Sequence, residues 1–168
     1  MYSLCLNRRR ESRIFANCFG IALTSPHDPC TPPEPFRARY DAKNIPLPGN
    51  FQPRHPFDNG ELEVRDEQLL PHPLVPAQVH EALADYYGMI SHHDAYFGRL
   101  LAEIATAGQL EKTIVVYLSD HGLALGSHGL LGKQNLYEHS VRVPLILAGP
   151  GVPGALQHPG LVYAFDLY

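Results

Sequence analysis

Three residues in the second half of the chain, Asp120, His121 and Lys133, have side chains that could bind a metal ion and an oxyanion. A carboxylate gives oxygen to a hard divalent cation, an imidazole gives a ring nitrogen, and lysine presents a compact positive charge to sulfate or phosphate. The alternative is a turn with a capping carboxylate. Two ligands cannot hold a metal by themselves, so a cation site here requires further ligands from elsewhere.

His27 is the second candidate, standing between Pro26 and Pro29. An imidazole can hydrogen-bond an oxyanion, or give a proton to a departing alkoxide near neutral pH. Taken alone, a histidine between prolines is typical of a turn. A functional role for His27 therefore depends on the second motif downstream.

The apolar run Ile114–Leu118 comes directly before Ser119 and Asp120 and predicts a strand that ends at the candidate site. It lacks polar alternation, as a strand covered on both faces by helices does. Val143–Leu147 predicts the next strand, and Val162–Phe165 could form a short edge strand. These elements predict an α/β fold.

Residues 76–108 carry the clearest helical pattern, closed by Gly108. Their apolar positions form one stripe on a helix, at Val79, Leu83, Tyr86, Ile90, Phe97, Leu101 and Ile104. Neighbouring helical residues diverge by about 100°, so the adjacent His92, His93 and Asp94 cannot converge on one ion. We expect those three to be packing and solvated surface. Gly88 and Gly98 weaken the helix and predict a kink or close packing.

Composition excludes several classes of protein. The chain has 168 residues, 45% of them apolar, and a formal charge of −4, which predicts a globular domain and gives no support for nucleic-acid binding. No apolar run approaches the roughly 18 residues of a membrane span. Three cysteines without metal-ligand spacing define no disulfide framework, so the compartment stays open.

The amino terminus invites comparison with a signal peptide, because four arginines precede the apolar run Ile14–Leu23. Asn17 interrupts that run, and no small-residue cleavage site follows it. We therefore predict a strand at residues 14–25.

The run DHGLALGSHGLLGKQNLYEHSVRVPLILAGPG, together with Ser25-Pro-His-Asp-Pro29 upstream, resembles the sulfatase family of the alkaline-phosphatase-like superfamily. The resemblance extends from about Phe15 to Tyr168. It implies an α/β/α sandwich with a mostly parallel central sheet, and a sulfated small molecule or carbohydrate as substrate. On this basis residues 1–168 are a partial catalytic domain with a strand at 14–25, a proline-rich insert at 40–76, a helix at 76–108 and a metal and sulfate segment at 113–151.

The same resemblance implies roles for the candidate residues. Asp120 and His121 would be ligands of one calcium ion, whereas His27 and Lys133 would be the catalytic residues that contact the sulfate. All four would then serve one shared anion pocket.

The nucleophile implied by the family is a formylglycine made from the first residue of Cys/Ser-x-Pro-x-Arg. Cys30-Thr-Pro-Pro-Glu34 resembles that pattern superficially, but a glutamate holds the arginine position. Cys5 has no proline at the required distance and Cys18 lacks both partners. We therefore expect that the chain lacks the amino-terminal portion of a sulfatase, and that alone it has little activity and binds calcium weakly at best.

The insert at 40–76 resembles a variable segment that some sulfatases place beside the substrate entrance. A long irregular connection is usually functional or disordered. Arg54, His55 and Arg65 could meet an anionic sugar, although solvated surface charge is the ordinary interpretation.

Two other functions stay open: a phosphomonoester or phosphonate hydrolase of the same superfamily, and a non-catalytic remnant that only binds a partner.

Overall fold

The structure of the protein is a computed structural model that describes residues 2–5 as backbone and residues 18–167 with their side chains. Its helices and strands, in chain order, are β1 (Tyr2–Cys5), β2 (Phe19–Ala22), α1 (Glu34–Arg37), α2 (Pro76–Thr106), β3 (Val115–Leu118), α3 (Glu138–Val141) and β4 (Leu145–Ala148). Short 3-10 turns lie at Ala42–Asn44, Glu61–Glu63, Arg65–Glu67, Leu110–Lys112 and Ala164–Leu167.

The chain divides into two compact units. The first consists of Met1–Tyr96 and Leu125–Leu131, and the second of Phe97–Ala124 and Gly132–Tyr168. Asp120, His121 and Lys133 belong to the second unit, whereas His27 belongs to the first. The shared anion pocket expected from the resemblance stays a prediction.

Helix α2 is the predicted helix. It begins at Pro76, whose missing N–H is harmless in the first turn, and is followed by Gly108 in the left-handed conformation with φ of +66°. Val79 and Leu83 of the apolar stripe are buried, whereas Ile90 is exposed. A Cβ at Gly88 would lie 2.8 Å from Cγ of Pro32, so close packing is the reason for glycine there. Among the described helices, none is both long enough and apolar enough to span a membrane.

The core of the first unit lies between helix α2 and the proline-rich insert. The insert contributes Ala42, Ile45 and Leu74 to a cluster completed by Val79, Leu83, Ala84 and Leu131. Its Glu67 is fully buried, and the Oε2 atom accepts a hydrogen bond of 2.6 Å from the backbone N–H of Leu131. The insert is therefore an ordered part of the core of the first unit.

Strands β3 and β4 pair antiparallel in the second unit, with Val115 opposite Ala148. Strand β1 pairs antiparallel with β2, so both sheets of the described residues are two-stranded and antiparallel. Val115 and Tyr117 are half-buried, whereas the alternate side chains Val116 and Leu118 are exposed. The predicted coverage of both faces of β3 by helices is therefore not observed within the described residues.

Two further predictions concern the ends of the chain. Residues 18–25 of the predicted strand include β2, and residues 14–17 lie outside the described residues. The prediction of an edge strand at Val162–Phe165 is wrong. The Asp166 carboxylate accepts a hydrogen bond of 2.7 Å from the Tyr163 N–H, and the Asp166 N–H bonds back to the Tyr163 carbonyl, which closes a turn.

Candidate functional site

The loop after β3 orients Asp120 and His121 through short local hydrogen bonds. Oδ1 of Asp120 accepts from the His121 N–H at 3.0 Å, and the Ser119 hydroxyl donates to the His121 carbonyl at 2.7 Å. Nδ1 of His121 lies 3.0 Å from the Gly122 carbonyl oxygen, which can only accept. The neutral His121 ring is therefore protonated on Nδ1 and presents the lone pair of Nε2.

Nε2 of His121 lies near the Asp120 carboxylate. Nε2 of His121 is 3.6 Å from Oδ2 of Asp120, whose side chain is 85% exposed. Calcium binds oxygen ligands at about 2.3–2.6 Å, so two ligand atoms 3.6 Å apart can contact the same ion. Hydrogen bonding of the second ring nitrogen is the usual way in which a metal-binding histidine is oriented.

Gly122 fixes the other end of this loop against α3, and the sequence interpretation missed its role. The Gly122 N–H donates to the Ser140 carbonyl at 2.9 Å, and a Cβ at Gly122 would lie 2.0 Å from the carbonyl oxygen of His139. Ser140 is buried, and its hydroxyl donates to Oδ1 of Asn135 at 2.9 Å. The loop is therefore held by backbone contacts that tolerate no side chain at residue 122.

Lys133 follows Gly132 in the same unit and is half-buried. Its N–H donates to Oε1 of Gln134 at 3.1 Å, and its carbonyl accepts from the Asn135 N–H at 2.8 Å. These bonds make a tight turn that fixes the backbone from which the lysine side chain extends.

His27 lies in the loop Thr24–Cys30 of the first unit, where its N–H donates to the Thr24 carbonyl at 2.8 Å. Nδ1 of His27 is 2.8 Å from the carbonyl oxygen of Asp28 and 3.1 Å from Oδ1 of its carboxylate. The Asp28 side chain is only 6% exposed, and its Oδ2 accepts a hydrogen bond from the Arg65 guanidinium. A buried carboxylate therefore lies beside the candidate histidine.

Helix α2 contacts the same loop through two further hydrogen bonds. Nδ1 of His93 donates to the Ser25 carbonyl at 3.2 Å, and the Ser25 hydroxyl donates to the Met89 carbonyl at 3.5 Å. His92 lies 4.7 Å from the Tyr96 ring, centroid to centroid, and lines an open pocket of about 620 Å³ that His27 also lines. His92 and His93 are thus half-buried packing residues, in line with the packing part of the expectation for this stretch.

Comparison with known proteins identifies the family. The sequence profile described as Sulfatase matches residues 17–168 of this chain. The chain belongs to the sulfatase family. The sulfatase resemblance predicted from the two motifs is thereby confirmed.

Two individual sulfatases and a related hydrolase match this chain at 27–33% sequence identity. Arylsulfatase K of Mus musculus is 33% identical over 132 residues, 79% of this chain and 23% of that protein. Choline-sulfatase of Rhizobium meliloti (strain 1021) is 31% identical over 169 residues, 94% of this chain and 31% of that protein. Phosphonate monoester hydrolase SpPMH from Silicibacter pomeroyi has a TM-score of 0.60 and 27% identity, covering 75% of this chain and 27% of that one.

This sulfatase chain thus spans about a quarter to a third of the length of the proteins that it matches. The structural likeness is consistent with the predicted α/β fold. Asp120, His121 and Lys133 share the second unit, but no group of three or more His, Cys, Asp or Glu in residues 18–167 could hold a metal ion. A cation bound by Asp120 and His121 would therefore need further ligands beyond those two residues.

Cys30 does not have the environment of a nucleophile. Its thiol donates to the Pro26 carbonyl at 3.5 Å, and burial, helped by the charges of Asp28 and Asp85, raises the pKa of Cys30 to about 11. The thiolate is the reactive form of cysteine, and Cys30 is almost entirely a thiol at neutral pH. This agrees with the rejection of Cys30 on sequence grounds.

The histidines and arginines of the insert mostly have structural roles. His55 is buried, and its Nδ1 donates to the His128 carbonyl at 2.8 Å, so contact between His55 and a substrate sugar is wrong. Arg65 pairs with Asp28 and with Asp66. Arg54 is exposed, as expected for solvated surface charge.

Proposed function

We propose that this chain is the part of a calcium-dependent sulfatase that supplies two ligands of one calcium ion, a sulfate-binding lysine and a histidine that assists the leaving group. The proposed substrate is a sulfate ester of a small molecule or a carbohydrate. Asp120 and His121 are the proposed ligands, and Lys133 and His27 the proposed catalytic residues.

One observation carries the proposal. The 3.6 Å separation of Oδ2 of Asp120 and Nε2 of His121 comes with an Nδ1 proton engaged by the Gly122 carbonyl. A turn that only capped its own backbone would require the Asp120 carboxylate but not an imidazole nitrogen 3.6 Å from it. This arrangement is the one expected of two ligands of the same metal ion.

The chemistry assigned to each residue follows from its type. Calcium, when bound, would supply positive charge to the sulfate oxygens. Lys133 would stabilise charge developing on the sulfate, and loss of one such preorganised group typically costs about 2.7–4 kcal/mol of transition-state stabilisation. His27, in its imidazolium form, would give the Nε2 proton to the ester oxygen as the sulfur–oxygen bond breaks, so that the alcohol leaves neutral and the ring returns to its neutral form.

The attacking group is not among these residues. Cys/Ser-x-Pro-x-Arg does not occur in the 168 residues, and the Cys30 thiol stays protonated. We therefore expect little or no turnover of an aryl sulfate by the purified chain.

We also propose that β3 belongs to a mostly parallel central sheet of an α/β/α sandwich. The exposed fractions of Ile114, Val116 and Leu118 are 56%, 41% and 44%. An apolar strand face this exposed is suited to packing beneath a helical layer.

Calcium-dependent thermal stabilisation tests the metal assignment. At a free calcium concentration ten times the dissociation constant, binding stabilises the folded state by about 1.4 kcal/mol. For a chain of this size that raises the melting temperature by roughly 3–6 °C. Asp120→Ala is expected to abolish the response, and Asp94→Ala, which removes an exposed helical aspartate, to preserve it.

The phosphonate monoester hydrolase likeness supports a second candidate, a phosphate or phosphonate ester hydrolase with calcium or zinc beside the lysine. An imidazole ligand suits zinc, whereas carboxylate oxygen suits calcium. Parallel titrations with calcium and zinc, each with sulfate and phosphate as the anion, separate the two candidates. A well-folded chain with no response to either metal would instead favour a non-catalytic remnant.

A further inference from the structure

His27 has a neighbour that dictates the state of its ring. Nδ1 of His27 lies 2.8 Å from the carbonyl oxygen of Asp28 and 3.1 Å from carboxylate Oδ1 of the same residue. A carbonyl cannot donate and a carboxylate is an acceptor when ionised. Nδ1 must therefore carry the proton of the neutral ring, so Nε2 can give a proton to a leaving group only after it has itself taken one up to form the imidazolium.

The Asp28 carboxylate is built into the first unit. Its side chain is 6% exposed, and Oδ1 makes no hydrogen bond among the described residues apart from this charged contact with the His27 ring. A buried carboxylate is costly unless it is paired. The contact between this Asp28 oxygen and the His27 imidazole is therefore more than a packing contact within the loop.

Arg65 supplies the paired charge from the proline-rich insert. Its Nη2 donates to Oδ2 of Asp28, and its Nη1 donates to Oδ1 of Asp66 at 2.8 Å. The Asp66 side chain is 7% exposed, so one guanidinium bridges two buried carboxylates. The planar fork of arginine suits such a bridge, and lysine would not reproduce it.

The backbone of the loop Thr24–Cys30 is held by separate contacts. In helix α2, His93 donates a hydrogen bond to the Ser25 backbone carbonyl, and the Met89 carbonyl accepts one from the Ser25 hydroxyl. Ser25 precedes His27 by two residues and Asp28 by three. The position of this loop therefore does not depend on the Asp28 carboxylate alone. What depends on it is the orientation of the His27 ring.

We infer that Asp28 is a positioning residue that holds His27 in the Nδ1-protonated form, and that Arg65 keeps the Asp28 carboxylate in place. This inference rests on the proposed role of His27. It gives the insert a function: its Arg65 supports the residue that would assist the leaving group, instead of contacting a substrate sugar.

Nitrogen-15 NMR of the histidine rings tests the inference directly. At alkaline pH, where imidazole is neutral, the two ring nitrogens report which one carries the proton. His27→Gln identifies the His27 signals. His158 is a reference of the opposite kind, because its Nδ1 accepts a hydrogen bond of 3.1 Å from the Gly160 N–H.

Asp28→Asn and Asp66→Asn form a matched pair. Both replace a buried carboxylate bound to Arg65 by its isosteric amide, but only Asp28 faces His27. In the wild-type chain we expect His27 predominantly protonated on Nδ1 and His158 on Nε2. Asp28→Asn should shift His27 toward Nε2 protonation, Asp66→Asn should leave it unchanged, and Asp28→Glu should restore much of the wild-type signal.

Three results would overturn the inference: a wild-type His27 ring protonated mainly on Nε2, no shift in Asp28→Asn, or an equal shift in Asp66→Asn. The wild-type measurement decides even if a variant does not fold. Failure of the proposed function is separate. If sulfate leaves the wild-type His27 signals unchanged while the Nδ1-protonated form is found, the substrate role of His27 fails and the positioning role stands.

Discussion

Nε2 of His121 lies 3.6 Å from Oδ2 of Asp120, while Nδ1 of the same ring is engaged by the Gly122 carbonyl. The two atoms that could ligate one ion are thus presented by consecutive residues directly after a strand. Their geometry depends on a loop that is packed against α3 at Gly122. Variants of the residues that hold this loop in place therefore test the site as directly as variants of the two ligands do.

Gly122→Ala is expected to destabilise the chain by about 1–3 kcal/mol or more, because overpacking against rigid backbone cannot relax. The new Cβ would lie 2.0 Å from the His139 carbonyl oxygen. Gly98→Ala is the matched control, since nothing lies within 4 Å of a Cβ there. Alanine is favoured over glycine in a helix by about 0.8–1.0 kcal/mol, so the control should gain stability. Urea unfolding of both variants checks the pair, and equal effects would contradict the packing of this loop.

Glu67→Ala is expected to reduce the free energy of unfolding by about 1–3 kcal/mol through the unsatisfied Leu131 N–H alone. Glu67 is 0% exposed, and the lost side chain would add a cavity penalty. Glu63→Ala removes an exposed carboxylate from the same insert, and surface changes of this kind stay within about 0.5 kcal/mol. Chemical denaturation distinguishes them. A Glu67→Ala variant as stable as Glu63→Ala would refute the role of the insert in the core.

Cys30 should react slowly with iodoacetamide at neutral pH and faster as the pH approaches about 11, because burial raises its pKa to that value. The folded pKa exceeds the ordinary value of 9.0, so the neutral thiol favours the folded state. That contribution is complete below pH 9 and is lost as the pH rises toward 11. Mass spectrometry of the alkylated chain measures the rate, with the exposed Cys18 as an internal reference. Cys30 modification as fast as that of Cys18 near pH 7 would contradict the assignment.

Lys133→Met is expected to weaken sulfate binding in the presence of calcium about 10- to 100-fold, because a hydrogen bond to a charged group contributes roughly 1.5–3 kcal/mol. Lys112→Met removes the charge of an exposed lysine from the same unit. Sulfate titrations followed by NMR compare the two variants with the wild-type chain. Equal loss in both would mean that only the net charge matters.

The sequence predicted the helix at 76–108 and the strands beside the site well, because period and punctuation are local signals. Gly108 ends the helix in the manner that its position indicated. The motif of Asp120 and His121 is contiguous, so its geometry also follows from local bonds. These features needed no knowledge of distant contacts.

What the sequence did not reveal depends on pairs far apart in the chain. Arg65 and Asp28 are 37 residues apart, and Glu67 meets Leu131 across 64. Nothing in the pattern of the insert indicates that Ile45 and Leu74 are core residues. Likewise, Gly122 resembles any loop glycine until the carbonyl of His139 lies against it.

Calorimetric titration of calcium into the chain tests the central claim most directly, namely that Asp120 and His121 jointly bind a divalent cation. We predict saturable binding to the wild-type chain and to Asp94→Asn, weaker binding to His121→Gln and none to Asp120→Asn. Equal calcium binding by Asp120→Asn and the wild-type chain would contradict the account, as would a wild-type chain that binds neither calcium nor zinc.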